Sequence, residues 1–89
     1  MTADELRATI VHILTEIAPE ADPATLRSDV DLRDQLDIDS MDFLHFLIAV
    51  DEAVHVDVPE ADYGRLTTLD KCVAYLLPRL PMAGPVAGD

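Results

Sequence analysis

At 89 residues the chain has room for one domain and a modest core. Its 18 Asp and Glu against 6 Lys and Arg leave a net charge of −12, which excludes charge-driven binding to nucleic acid or an anionic membrane. One cysteine excludes an internal disulfide framework, and no run nears the roughly 20 apolar residues of a membrane span.

Apolar residues make up 49%, yet the only aromatics are Phe43, Phe46, Tyr63 and Tyr75, so the core is expected to be Leu, Ile and Val. The start, Met1-Thr2-Ala3-Asp4-Glu5, has neither a basic region nor an apolar leader, and cytosol is the expected location. Thr2 followed three residues later by Glu5 has the form of a capping box. Leu6, Ile10, Ile13, Leu14 and Ile17 then recur at helical spacing, which predicts a helix over 3–17 ending before Pro19.

From Ala18 to Asp39 no long periodic segment appears. A connection of that length needs short turns of its own or a job. Leu26, Val30, Leu32, Leu36 and Ile38 are candidates to pin it to the core, with a helical turn within 30–36. The loop delivers Ser40 to the start of a second long helix, predicted over 40–54. Asp39 suits the N-cap, and Asp42 suits the third helical position beside the positive end of the dipole. Phe43, Phe46, Leu47, Val50 and Val54 form the core stripe, while Met41, Leu44 and Ile48 form a narrower second face. Scattered surface apolars are common. This face starts beside Ser40, however, which favours a docking surface flanked by Asp51, His45 and Glu52.

Residues 55–59 alternate apolar and polar, but with no partner strand they read as an anchored loop. A short helix is expected over 60–65 after Pro59. Thr67 or Thr68 then caps a last helix whose stripe is Leu69, Cys72, Val73, Leu76 and Leu80, stopped by Pro78 near Leu77. The expected fold is all-α: a small four-helix bundle, three main helices and one short, with a long first loop. It occupies 1–80 and is followed by a flexible tail over 81–89.

Between Asp29 and Asp62 there are eleven acids and one base, Arg33, so 10 of the 12 net negative charges fall in that stretch. The sequence does not fit an EF-hand loop in either register, from Asp29 or from Asp37, because the required Gly and Glu are missing. His12, His45 and His55 form no ligand cluster, so no metal site is expected. Cys72 on an apolar stripe is most simply a core residue. Ser40 is the sharpest candidate. A serine at a helix start is commonly only a cap, but free amides and the dipole there suit a phosphodiester. No base lies beside it in sequence, so the hydroxyl is expected to be the substrate of another enzyme rather than a nucleophile of its own. No catalytic residue is expected.

Asp39-Ser40-Met41, the apolar-acidic helix after it, Val58-Pro59 and Thr67-Thr68-Leu69 together resemble the acyl carrier protein family. The resemblance covers about Leu6 to Leu77. It implies a non-catalytic carrier in which Ser40 bears a 4′-phosphopantetheine arm derived from coenzyme A; the oligomeric state is left open, with a monomer as the default expectation. The arm's thiol would hold acyl groups as thioesters for fatty acid, polyketide or specialised lipid biosynthesis. It also implies that Asp39 assists modification at the metal of a phosphopantetheinyl transferase. Met41, Asp42, Leu44, Ile48, Asp51 and Glu52 would face basic patches of an acyl synthetase, acyltransferase or ketosynthase-type enzyme. The chain departs from the family at Asp37, where Gly is usual, at Met41 for Leu, and at His45, where many relatives have an acid. Asp39 argues against the peptidyl carriers, which usually have His there. D-alanyl carriers share the Asp-Ser pattern, so an aminoacyl carrier is one alternative. An unmodified acidic adaptor on the same scaffold is another.

Overall fold

The computed structural model describes residues 1–81. Helix α1 spans Ala3–Ile17, and its start is held by the reciprocal pair the sequence predicts: Glu5 N–H to Thr2 Oγ1 at 3.1 Å and Thr2 N–H to Glu5 Oε1 at 2.7 Å. Hydrogen bonding from the Thr2 backbone, and then from its hydroxyl, to the ionised carboxylate holds Glu5 below its usual carboxylate value. Leu6, Ile10, Ile13 and Leu14 are buried on one face.

The connection that follows contains its own short elements. Asp22 accepts from the amides of Ala24, Thr25 and Leu26, and α2 spans Leu32–Gln35 with Asp31 as its cap. Leu32 is fully buried. Gln35 fastens the strap to itself: its Oε1 accepts from Arg27 N–H, while its Nε2 donates to the carbonyls of Arg27 and Val30. Two backbone bonds then tie the strap to the last helix, Leu32 N–H to Thr67 O at 2.8 Å and Asp70 N–H to Ser28 O at 2.9 Å.

Helix α3 spans Ser40–Val54 and buries Phe46, Leu47, Val50 and Val54, the predicted stripe, with Phe43 half-buried at its edge. Phe43 and Leu36 also pack on a second small cluster of Ala18, Ala21 and Ile38, which seats the end of the strap beside the start of α3. The segment Glu60–Arg65 is helical, as expected, but wound as a 3₁₀ helix. Helix α4 spans Leu69–Leu76, capped by Thr68 rather than Thr67. It ends one residue earlier than predicted, because Pro78 is accommodated in a closing 3₁₀ turn over Leu77–Arg79.

Helix α1 packs against both α3 and α4, and the 3₁₀ segment lies on α4. One cluster joins Leu6, Ile10, Leu14, Leu32, Phe46, Leu47, Leu66, Leu76 and their neighbours into the main core. The described residues contain helices and loops and no strand, and no helix is long and apolar enough to cross a membrane. The tail expected over 81–89 falls, beyond Pro81, outside the described residues.

Candidate functional site

Ser40 is exposed at the first helical position of α3, one residue after the N-cap. The cap is a capping box made of two acids. Asp39 Oδ1 accepts from Asp42 N–H at 2.8 Å, and Asp42 Oδ2 receives a longer bond from Asp39 N–H at 3.4 Å. The first intrahelical backbone bond here runs from Phe43 N–H to Asp39 O, so the amides of Ser40 and Met41 lie before it and point out of the helix start. Both flanking carboxylates thus spend an oxygen on the backbone, and neither forms a side-chain bond to Ser40. Among the described residues no protein group forms a hydrogen bond with the Ser40 hydroxyl. It is reachable, oriented by a rigid helix, and not activated from within the chain.

Ahead of the serine, Ile38 N–H bonds to Leu36 O at 3.0 Å, closing a three-residue turn centred on Asp37. Among the described residues only His55 has positive φ without being glycine, so Asp37 needs no conformation reserved for glycine. The exchange of Gly for Asp37 therefore leaves the junction in ordinary backbone geometry and adds an exposed carboxylate beside Ser40.

The second apolar face of α3 is present. Met41 is 57% exposed and Ile48 45% exposed, and Leu44 is half-buried between them. Asp42 is half-buried, while His45 and Glu52 are exposed. Asp51 differs from the rest of this set. It is half-buried, its Oδ2 accepts Val58 N–H at 3.3 Å, and its buried Oδ1 has no hydrogen-bond partner. Burial raises its pKa, the Val58 bond opposes that rise, and the Asp57 charge adds to it. The Asp51 carbonyl also accepts from His55 and Val56. Asp51 thus fastens the loop after α3, and Val56 and Val58 are buried behind it.

Sequence reasoning missed three features. His55 ends α3 in the left-handed region (φ 59°, ψ 42°), a place glycine usually takes. Tyr75, absent from the predicted stripe, is buried, and its hydroxyl donates to Asp62, which raises its pKa. Arg65, Lys71 and Arg79 gather around Tyr75 at one shallow pocket. The signal for the last was the four-residue spacing of Lys71, Tyr75 and Arg79. Cys72 is core as expected: burial pushes its thiol up to about 12, and its Sγ contacts Leu66 O at 3.2 Å. Among the described residues no group of three or more His, Cys, Asp or Glu is placed to hold a metal ion.

No family model matches the chain. A mitochondrial acyl carrier protein of Neurospora crassa is 26% identical over 74 residues, covering 83% of this chain and 55% of that protein. The meromycolate extension acyl carrier protein of Mycobacterium tuberculosis is 28% identical over 76 residues, 85% of this chain and 65% of that protein. The match therefore spans less than two thirds of either of these two relatives. An acyl carrier protein of Rhodococcus erythropolis is 29% identical over 75 residues, 84% of this chain and 81% of its own. The chain is a small all-helical domain that resembles several acyl carrier proteins at 23–29% identity.

Proposed function

We propose that this chain is a non-catalytic acyl carrier, with Ser40 as the attachment point of a 4′-phosphopantetheine arm. The observation that carries the reading is the setting of Ser40: an exposed hydroxyl without a bonding partner, on the first turn of a doubly capped helix, with no base beside it. That arrangement suits a hydroxyl modified by a separate enzyme. The residues fit the group. The unbonded amides and dipole of the first turn favour a phosphodiester. The capping box holds one oxygen each of Asp39 and Asp42 on the backbone. When bound, the arm supplies a thiol that holds an acyl group as a thioester.

The chain's own residues present the arm and select the partner. Met41, Leu44 and Ile48 offer an apolar strip for docking, and Asp42 and Glu52 flank it with negative charge. We assign Asp39 to the transferase step through its free carboxylate oxygen. Asp51 contributes by holding the loop that ends α3. The partners are a phosphopantetheinyl transferase and acyl-transferring enzymes with basic patches, bound transiently and steered by charge.

The test is intact mass after incubation with coenzyme A, Mg²⁺ and a broad-specificity phosphopantetheinyl transferase. Wild type should gain one phosphopantetheine and Ser40→Ala none. A folded wild-type chain that gains nothing from several transferases, including its own genome's, would overturn the reading. Gain by Ser40→Ala would overturn the site.

A further inference from the structure

Half of the chain's six Lys and Arg line one pocket. Arg65, Lys71 and Arg79 surround a shallow hollow of about 350 Å³, with Gly64, Ala74 and Tyr75 as its remaining lining. In a chain with 18 carboxylates, cations are expected to sit beside acids. Arg7 does so with Asp70 at 3.0 Å and Arg27 with Asp29 at 3.6 Å. Among the described residues Arg65, Lys71 and Arg79 form no ion pair, nor does Arg33 outside the pocket, so it is the gathering of three such cations at one place that marks the site.

The pocket is also built rather than merely crowded. Tyr75 is buried, and its hydroxyl is fixed to the Asp62 carboxylate. Its ring carries both guanidinium groups, Arg79 at 3.8 Å from the centroid and Arg65 at 5.1 Å. Arg79 is held a second time by its Nη1, which donates to Tyr75 O at 2.7 Å. Two guanidinium groups are therefore ordered before any ligand arrives, which lowers the entropy lost on binding. Lys71, one turn before Tyr75 on α4, supplies an exposed third cation. Asp62 is the acid facing this group, and Asp70 is turned to Arg7. Three cations against one carboxylate leave two positive charges.

We propose that this pocket is a phosphate-recognition site, separate from Ser40. A phosphate monoester carries about −1.5 to −2 charges at neutral pH, which matches the two uncompensated positive charges. Guanidinium forks fit phosphate oxygens in pairs, and an ammonium fills the remaining acceptor. A single carboxylate would neutralise only half of the charge. The phosphate belongs either to a small phosphorylated molecule or to a phosphorylated side chain of a partner. No residue of α3 lines the pocket, so this site can fail while Ser40 is modified, and the reverse.

The test is a titration of the full chain with inorganic phosphate, followed by amide ¹H–¹⁵N spectra against sodium chloride at matched ionic strength. Saturable millimolar shifts are expected at Gly64, Arg65, Lys71, Tyr75 and Arg79, with acetate weaker. Arg79→Gln should weaken binding about tenfold. Lys71→Gln should weaken it about threefold. Lys71 is exposed and makes no side-chain bond, so that variant should melt as wild type does. Shifts that follow chloride, acetate binding equal to phosphate, or unchanged affinity in folded Lys71→Gln would each overturn the site. Glycerol phosphate and a phosphoserine peptide, run alongside, separate the two sources: the one that binds more tightly than inorganic phosphate names the carrier of the group. Equal affinity for all three assigns the site to the phosphate group alone.

Discussion

Asp51 shows how one side chain can act against local charge logic. It sits near the C-terminal end of α3, where the dipole disfavours an anion, and it is partly removed from water beside Asp57. Its place is explained by the Val58 amide it accepts. Because its folded pKa lies above 3.8, its contribution to stability is most favourable below that value. It is lost as the pH rises through the folded pKa. At neutral pH the ionised side chain is therefore a cost. Asp51→Asn keeps a carbonyl acceptor for Val58 N–H and removes the charge. Thermal melts should find it more stable than wild type at neutral pH, by under about 1 kcal/mol given its contact with solvent. The difference should shrink toward pH 4. A variant less stable than wild type at neutral pH would show either that the charge itself holds the loop or that the amide NH2, placed at the buried Oδ1 position, costs more than the charge it replaces. His55 is the neighbouring exception, a left-handed residue with a side chain, where His is tolerated better than most non-glycine residues.

At the scale of elements, the strap between α1 and α3 decides whether Ser40 is held or loose. Its backbone is satisfied by turns, by the Gln35 side chain and by two bonds to the start of α4. Its apolar anchor is Leu32, fully buried although α2 has only four residues. So short a helix has little stability of its own and exists because Leu32 is packed. Leu32→Ala should cost about 2–5 kcal/mol in denaturant melts. It should also speed amide exchange in the strap ahead of any change in α1. Loss of under about 0.5 kcal/mol would mean that the strap rides on its hydrogen bonds alone. The helical spacing of Leu6 to Leu14 and of Phe46 to Val54 was legible beforehand, because each helix buries a continuous stripe. The strap was legible only as a list of apolar residues. Gln35 makes bonds eight residues away in sequence, and such bonds leave no periodic trace.

For the whole molecule, charge is the dominant long-range term. With a net charge of −12 and most acids between Asp29 and Asp62, folding concentrates like charges that the unfolded chain keeps farther apart. Raising sodium chloride from about 10 to about 200 mM should raise the melting temperature by several degrees. A flat or falling melting temperature would show that the carboxylates repel no more in the fold than in the unfolded chain. The same salt should weaken docking of α3 on basic partners, so stability and affinity should move in opposite directions.

What the amino-acid order determined by itself was local: three main helices, the caps of the first two at Thr2 and Asp39, the position of Ser40 on a helix start, and the acidic field around it; which of Thr67 and Thr68 caps the last helix was left to the fold. Caps and stripes depend on residues three or four apart, and those distances are set by the helix. The tertiary structure decided the rest. It turned Asp51 toward Val58, put Asp37 in an ordinary turn, buried Tyr75 against the 3₁₀ segment, and gathered Arg65, Lys71 and Arg79 into one pocket. Each of these depends on which element packs on which, and that is settled by burial of the whole core rather than by any neighbouring residue.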